Sequence, residues 1–284
     1  MEKLIQFRTS ASLYDGVFDN VAGWSAAGMG YVLVTKSNKF IVIDGGYKED
    51  SLALIGLLEK YSGKSVPTVD LWIITHSHVD HYGAIQNIAE CEELRKRINV
   101  KKLCYYFPAK FRDRGKRYCN LAPIEDMKRI TALLDAKHHV PFIDEKLSVD
   151  GVDLHFLYVP SDYLAINDSY NSNACSLIFT LSTENKKIMI TGDAVPKTMQ
   201  MTCAKYGDIL KCDILQMPHH ALCDTGDVGF FSAVDAKTLL LPISIAGDRS
   251  MNDIYFEQNA ANRWAQNNAD KILKAFEGTI EIEV

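Results

Sequence analysis

The sequence predicts an α/β protein, a four-layer sandwich with two β-sheets face to face and helices on both outer sides. Three observations predict it. Apolar runs of strand length alternate with helically spaced ones from end to end. Both halves begin with strand pairs and then add helices. Polar clusters follow directly on apolar strands, as they do where strand ends meet at one edge of a sandwich.

In chain order, Tyr31–Thr35 and Phe40–Ile43 read as paired strands around the turn 36–39. Asp44-Gly45-Gly46 breaks the second. Ser51–Tyr61 carries Leu52, Leu54, Ile55 and Leu58 at helical spacing. Asp70–Thr75 is a short apolar strand, and 82–98 is expected to be helical. Leu103–Phe107 and Leu154–Val159 are expected strands, with a helix over Ile124–Ala136 between them. Cys175–Leu181 and Lys187–Thr191 form a second hairpin-like pair. A helix over Lys197–Tyr206, strands over Asp213–Met217 and Lys237–Leu241, a helix near Ile254–Asn267 and a strand over Thr279–Val284 complete the expected series.

Composition narrows the class. With 47% hydrophobic and 24% charged residues the 284-residue chain is globular rather than disordered. No apolar stretch approaches the ~18 residues of a membrane span, and MEKLIQFRTS has no signal-peptide pattern. The seven cysteines are scattered without a CxxC pair, which fits reduced thiols and a cytoplasmic setting. Cys223 lies three residues after a histidine pair and is expected to be a bystander. A net charge of −5 argues against a nucleic-acid protein. Arg95–Tyr118 is nonetheless basic, with interleaved aromatics. It reads either as a solvated face or as a phosphate-binding surface.

Four motifs carry chemistry. His76-Ser77-His78-Val79-Asp80-His81 places three of the eight histidines and a carboxylate just after a strand. Imidazole and carboxylate are the ligand set of Zn²⁺ and similar ions. His76 and His78 point the same way if extended and can grip one ion; Asp80 and His81 can grip a second. Two such ions ~3.5–4 Å apart share a hydroxide nucleophile. Gly192-Asp193 ends an apolar strand and offers a bridging carboxylate, though Gly-Asp alone is ordinary turn chemistry. His219-His220 follows another strand. One of the pair is expected to ligate, and the other to bind substrate or protonate a leaving group. Asp44 is expected to orient a ligating histidine from behind.

Residues 76–81 match the HxHxDH signature of the metallo-β-lactamase-fold hydrolases, which this sequence therefore resembles. Asp44-Gly45-Gly46 is similar to the Asp-Gly motif of that superfamily, and Gly192-Asp193 to its later bridging aspartate. His219-His220 and Asn173-Ala174-Cys175-Ser176-Leu177-Ile178 resemble one branch, that of competence-type DNA-uptake channels and phosphorylcholine esterases. The resemblance covers about 30–90 and 165–284. It implies one domain over 1–284, with 92–165 as an insertion or divergent cap. It also implies two divalent ions, zinc or alternatively manganese or iron. His76 and His78 would hold one, Asp80 and His81 would help hold the other, and Asp193 would bridge; Asp80, Asp193 and His219 would serve catalysis. The superfamily's third-motif histidine is not evident, and Asn173 stands in its neighbourhood. Ala221 replaces the usual glycine after the histidine pair. The function so implied is metal-dependent hydrolysis; the basic stretch Arg95–Tyr118 tips the expectation toward a phosphoesterase acting on a small phosphorylated substrate rather than DNA, with no membrane partner and the oligomeric state left open. The alternatives are a carbon–oxygen or carbon–nitrogen hydrolase (lactonase, thioesterase or β-lactamase-like) and a non-catalytic metal-binding module in nucleic-acid handling.

Overall fold

The computed structural model describes residues 2–16, 28–113, 116–119, 121–161, 172–222 and 225–284; for 110–113, 116–119 and 121 it describes the backbone only. Two sheets pack face to face. The first has strand order β17-β1-β2-β3-β4-β6-β9, with the short β5 beside β4. Its strands are β1 (Lys3–Gln6), β2 (Gly30–Val34), β3 (Phe40–Asp44), β4 (Thr68–Ile73), β5 (Asn99–Val100), β6 (Lys102–Cys104), β9 (Lys137–His139) and β17 (Ile280–Glu283). The second runs β10-β11-β12-β13-β14-β15-β16. It comprises β10 (Lys146–Val149), β11 (Val152–Tyr158), β12 (Ile178–Ser182), β13 (Lys187–Ile190), β14 (Ile214–Gln216), β15 (Thr238–Leu241) and β16 (Lys271–Lys274).

Side-chain alternation explains the four layers. In β3, Ile41 and Ile43 point between the sheets, where they meet Phe156, Phe179, Leu181, Ile188 and Ile190. Val42 points outward with Val32, Trp72 and Ile74, against the helices α1 (Ser51–Ser62) and α2 (Val79–Glu90) and the helix Leu121–Leu133. Met189, Leu215, Leu239 and Leu241 pack outward from the second sheet against Met199, Phe230, Phe231 and Ala265. Those residues belong to the helices Pro196–Tyr206, Val228–Val234 and Ala260–Asn267. Strands buried on both faces are continuous apolar runs, which is why they were readable.

Several elements differ from expectation. The helix expected over 82–98 begins earlier, at Val79, and breaks at Cys91 before a short turn Glu92–Arg95. Asp80 and His81 therefore lie in its first turn rather than ahead of it. The helix expected over Ile254–Asn267 is confined to Ala260–Asn267, and a separate helix that was not expected, Ile245–Asp253, precedes it, capped by Ser244 accepting from Gly247 N. Residues 92–165, expected as an insertion or cap, supply β5, β6 and β9 to the first sheet and β10 and β11 to the second. Outside both sheets this stretch forms a two-stranded hairpin, Lys110–Asp113 with Lys116–Cys119. Among the described residues no helix is long and apolar enough to cross a membrane.

Topology places the chemistry. β3 and β4 run parallel, as do β13, β14 and β15. Their C-terminal ends deliver Asp44, Thr75-His76, Gly192-Asp193, Pro218-His219-His220 and Pro242 to one edge of the sandwich. The two sheets are tied there by Leu177 N donating to Thr75 O at 3.0 Å.

Candidate metal centre

Local backbone geometry aims each polar side chain. Asp44 leaves β3 with φ +53. Its carboxylate accepts from Thr75 N and Thr75 Oγ1, both at 2.8 Å, and from His81 Nδ1 at 2.7 Å. With Nδ1 so occupied, His81 presents Nε2 to the cluster. The Thr75 hydroxyl, donating to Asp44, is left to accept from His76 Nδ1 at 3.2 Å, which turns His76 Nε2 inward. Gly192 has φ +54, and a Cβ there would lie 2.9 Å from Thr75 Cβ and 3.0 Å from Ser176 Cβ. Glycine is required at this bend. Asp193 follows it, with its N–H donating to Ser176 Oγ at 3.0 Å.

His219, His220 and Ala221 all have positive φ, +46, +57 and +58. Histidine tolerates this region better than most residues; alanine does so at a cost of ~1–2 kcal/mol. The bend turns the two rings apart. His220 Nδ1 donates to Pro242 O at 2.8 Å, and its Nε2 lies 3.1 Å from Asp80 Oδ2 and 3.6 Å from Asp193 Oδ1. His219 Nε2 stands 3.9 Å from Asp193 Oδ2 and 3.1 Å from Asn173 Nδ2, with its side chain 28% exposed.

Among the described residues, two groups of donors result. Asp80, His81, Asp193 and His220 offer atoms within 4.8 Å of one another, and so do His76, His78 and Asp193. Asp193 belongs to both: Oδ1 faces His81 (3.2 Å) and His220, and Oδ2 faces His76 (3.6 Å). The expected residues of the first motif, Asp193 and His220 therefore converge. His219 borders the second of these groups without joining either. His138, His139 and His155 are elsewhere: His138 stacks on Tyr105, His139 pairs with Glu145 at 3.0 Å and His155 with Asp144 at 3.5 Å.

The electrostatics are those of a cation site. His76, His81, His220 and Asp193 are almost fully buried, and burying charge without compensation is costly. Burial pushes the pKa of His76, His78 and His219 down, keeping them neutral and able to donate a lone pair. Burial also opposes charge on His81 and His220, but Asp193 with Asp80 outweighs it, raising His81 well above its usual value and His220 to about 10. Burial likewise disfavours a charged Asp193, yet the surrounding imidazoles hold it well below the usual carboxylate range. His76 Nε2, His81 Nε2 and Asp193 Oδ1 are buried without a hydrogen-bond partner. Native interiors rarely leave such atoms unsatisfied. A divalent ion among imidazole nitrogens and carboxylate oxygens fits them by chemistry and by spacing.

Several contributors gave no sequence signal. Ser172 Oγ hydrogen-bonds His78 Nε2. Gln216 accepts from Thr191 N at 2.8 Å and donates to Gly192 O at 3.0 Å, stiffening the bend before Asp193. The basic stretch divides. Lys96, Arg97 and Lys101 form ordinary pairs with Glu92, Glu59 and Asp70. Arg114 and Cys223 lie outside the described residues, as do the side chains of 110–113 and 116–119.

Comparison with known proteins agrees with this fold. Residues 30–162 match the Metallo-beta-lactamase superfamily. Competence protein ComA of Neisseria gonorrhoeae is 23% identical over 217 residues, 76% of this chain and 26% of that protein. The chain thus spans about a quarter of its curated relative. The metallo-beta-lactamase fold protein YhfI of Bacillus subtilis superposes with a TM-score of 0.56 at 14% identity, covering 100% of both chains. A diphosphatase of the PhnP family superposes at 0.51 with 14% identity, covering 100% of this chain and 98% of its own. The matched segment contains the whole His76–His81 motif and the fold extends over the full length: the chain has the metallo-β-lactamase fold and carries a His/Asp cluster able to hold a metal ion.

Proposed function

We propose that this protein is a binuclear metal-dependent phosphoesterase acting on a small phosphorylated substrate, with zinc as the expected metal. The carrying observation is that one buried carboxylate, Asp193, is common to two donor groups. Asp80, His81, Asp193 and His220 would hold one ion; His76, His78 and Asp193 would hold the other. When bound, such ions supply Lewis acidity and a water nucleophile at neutral pH. The chain's own residues do the rest. Asp44 and the Pro242 carbonyl keep the protons of His81 and His220 on Nδ1, so both Nε2 atoms face inward. His219, partly exposed beside Asn173, is placed to contact the substrate rather than an ion.

The likeness to a diphosphatase favours phosphorus over carbon as the centre attacked. The likeness to a competence protein favours a second reading, a nucleic-acid phosphodiester. The purified chain, loaded with Zn²⁺ or Mn²⁺, is expected to hydrolyse bis(p-nitrophenyl) phosphate and to leave p-nitrophenyl acetate and simple lactones largely intact. Preference for the carbon esters would move the protein to the lactonase or thioesterase class. Inactivity on all of them, together with salt-sensitive binding of single-stranded DNA, would reject catalysis in favour of a metal-binding module.

A further inference from the structure

The segment Ser172–Ser176 touches three residues of the centre without contributing a ligand. Ser172 Oγ meets His78 Nε2, Asn173 Nδ2 meets His219 Nε2, and Ser176 Oγ accepts from Asp193 N. The segment is a tight turn. Cys175 N donates to Ser172 O, Ser176 N to Asn173 O, and the Tyr158 hydroxyl to Ala174 O. The contact to His78 falls within the His76–His78–Asp193 group and that to His219 at its border, while Asp193 is shared by both groups. The other group is oriented from different directions, His81 by Asp44 and His220 by the Pro242 carbonyl.

We propose that Ser172 is a positioning residue for His78, holding its Nε2 proton so that Nδ1 is the ligating atom, and that it thereby sets metal affinity in the three-donor group alone. This rests on the binuclear reading above. A hydroxyl is the suitable partner because it accepts from Nε2–H while remaining neutral, so no charge is added to a group with three donors. Partners that orient ligating histidines typically change affinity by about 10–100-fold when removed.

The test is calorimetric titration of the chelator-stripped chain with Co²⁺, read together with the visible d–d spectrum. The wild type should show two binding steps. Ser172→Ala should weaken the looser step by about 10–100-fold and alter its spectrum, with the tighter step and the metal-free melting temperature unchanged. Ser172→Thr, which keeps the hydroxyl, should restore it. Two unchanged steps in Ser172→Ala would overturn the proposal, as would equal weakening of both. Failure of the wild type to bind two equivalents would instead remove the binuclear reading itself, an outcome separable from the variant's behaviour.

Discussion

At the scale of the residue, Asp44 shows how much a side chain outside the donor groups contributes. It is buried completely and accepts three hydrogen bonds, two from Thr75 and one from His81. Asp44→Asn preserves shape and tolerance of positive φ but loses the charge and presents an N–H to one of these donors. Metal affinity should fall by about 10–100-fold, as competition against a chromogenic chelator will show; unchanged affinity would reduce Asp44 to a turn residue. Asp193→Asn should abolish phosphodiester hydrolysis and lower bound metal, measured by elemental analysis, while circular dichroism stays that of the wild type. Full activity in that variant would remove Asp193 from the centre. Much of this was legible beforehand because ligand-type residues are crowded into six positions after a strand. The division between His219 and His220 was not. Neighbours with φ +46 and +57 follow neither helix nor strand periodicity, so no pattern tells which ring turns inward. Ser172 was invisible for another reason, since a lone serine carries no pattern.

At the scale of the element, the strand-to-loop bends decide whether the donors meet. The bend at Gly192 lies between Thr75, which follows β4 of the first sheet, and Ser176, which leads into β12 of the second. Gly192→Ala would force a Cβ into that gap at a left-handed φ. A loss of about 1–3 kcal/mol is expected, measured by urea unfolding, with a larger proportional loss of metal binding as Asp193 shifts. A neutral result would mean the bend can relax. Doubly buried strands such as β3 and β13 were easy to read. Short strands at or next to the sheet edges were not: β1, β9 and β16 are three or four residues long, and their lysines mask the alternation. Helix α2 was placed too late because its first turn is polar, being built from the proposed ligands themselves.

At the scale of the whole molecule, exhaustive dialysis against a chelator should lower the melting temperature by about 5–10 °C. That is the effect of ~2.7 kcal/mol from an ion at a hundred times its dissociation constant, in a domain of this size. Readdition of Zn²⁺ should restore the original value; a melting curve indifferent to metal would contradict the cation-site reading. The four-layer architecture was predictable as a class. Within residues 92–165 the strands β6 and β11 were legible, but β5, β9 and β10 were not, because they are two to four residues long and carry little periodic signal.

The Leu177–Thr75 hydrogen bond lies where the two sheets meet, and the donors are divided by the same boundary. His76, His78, Asp80 and His81 follow the first sheet; Asp193 and His220 follow the second. Any cation gripped by both sets also rivets one half of the chain to the other, closing the long loop from His81 to Asp193, whose entropy penalty grows only slowly with length. Neither half could assemble either pocket unaided, so ion capture would report that the halves have docked.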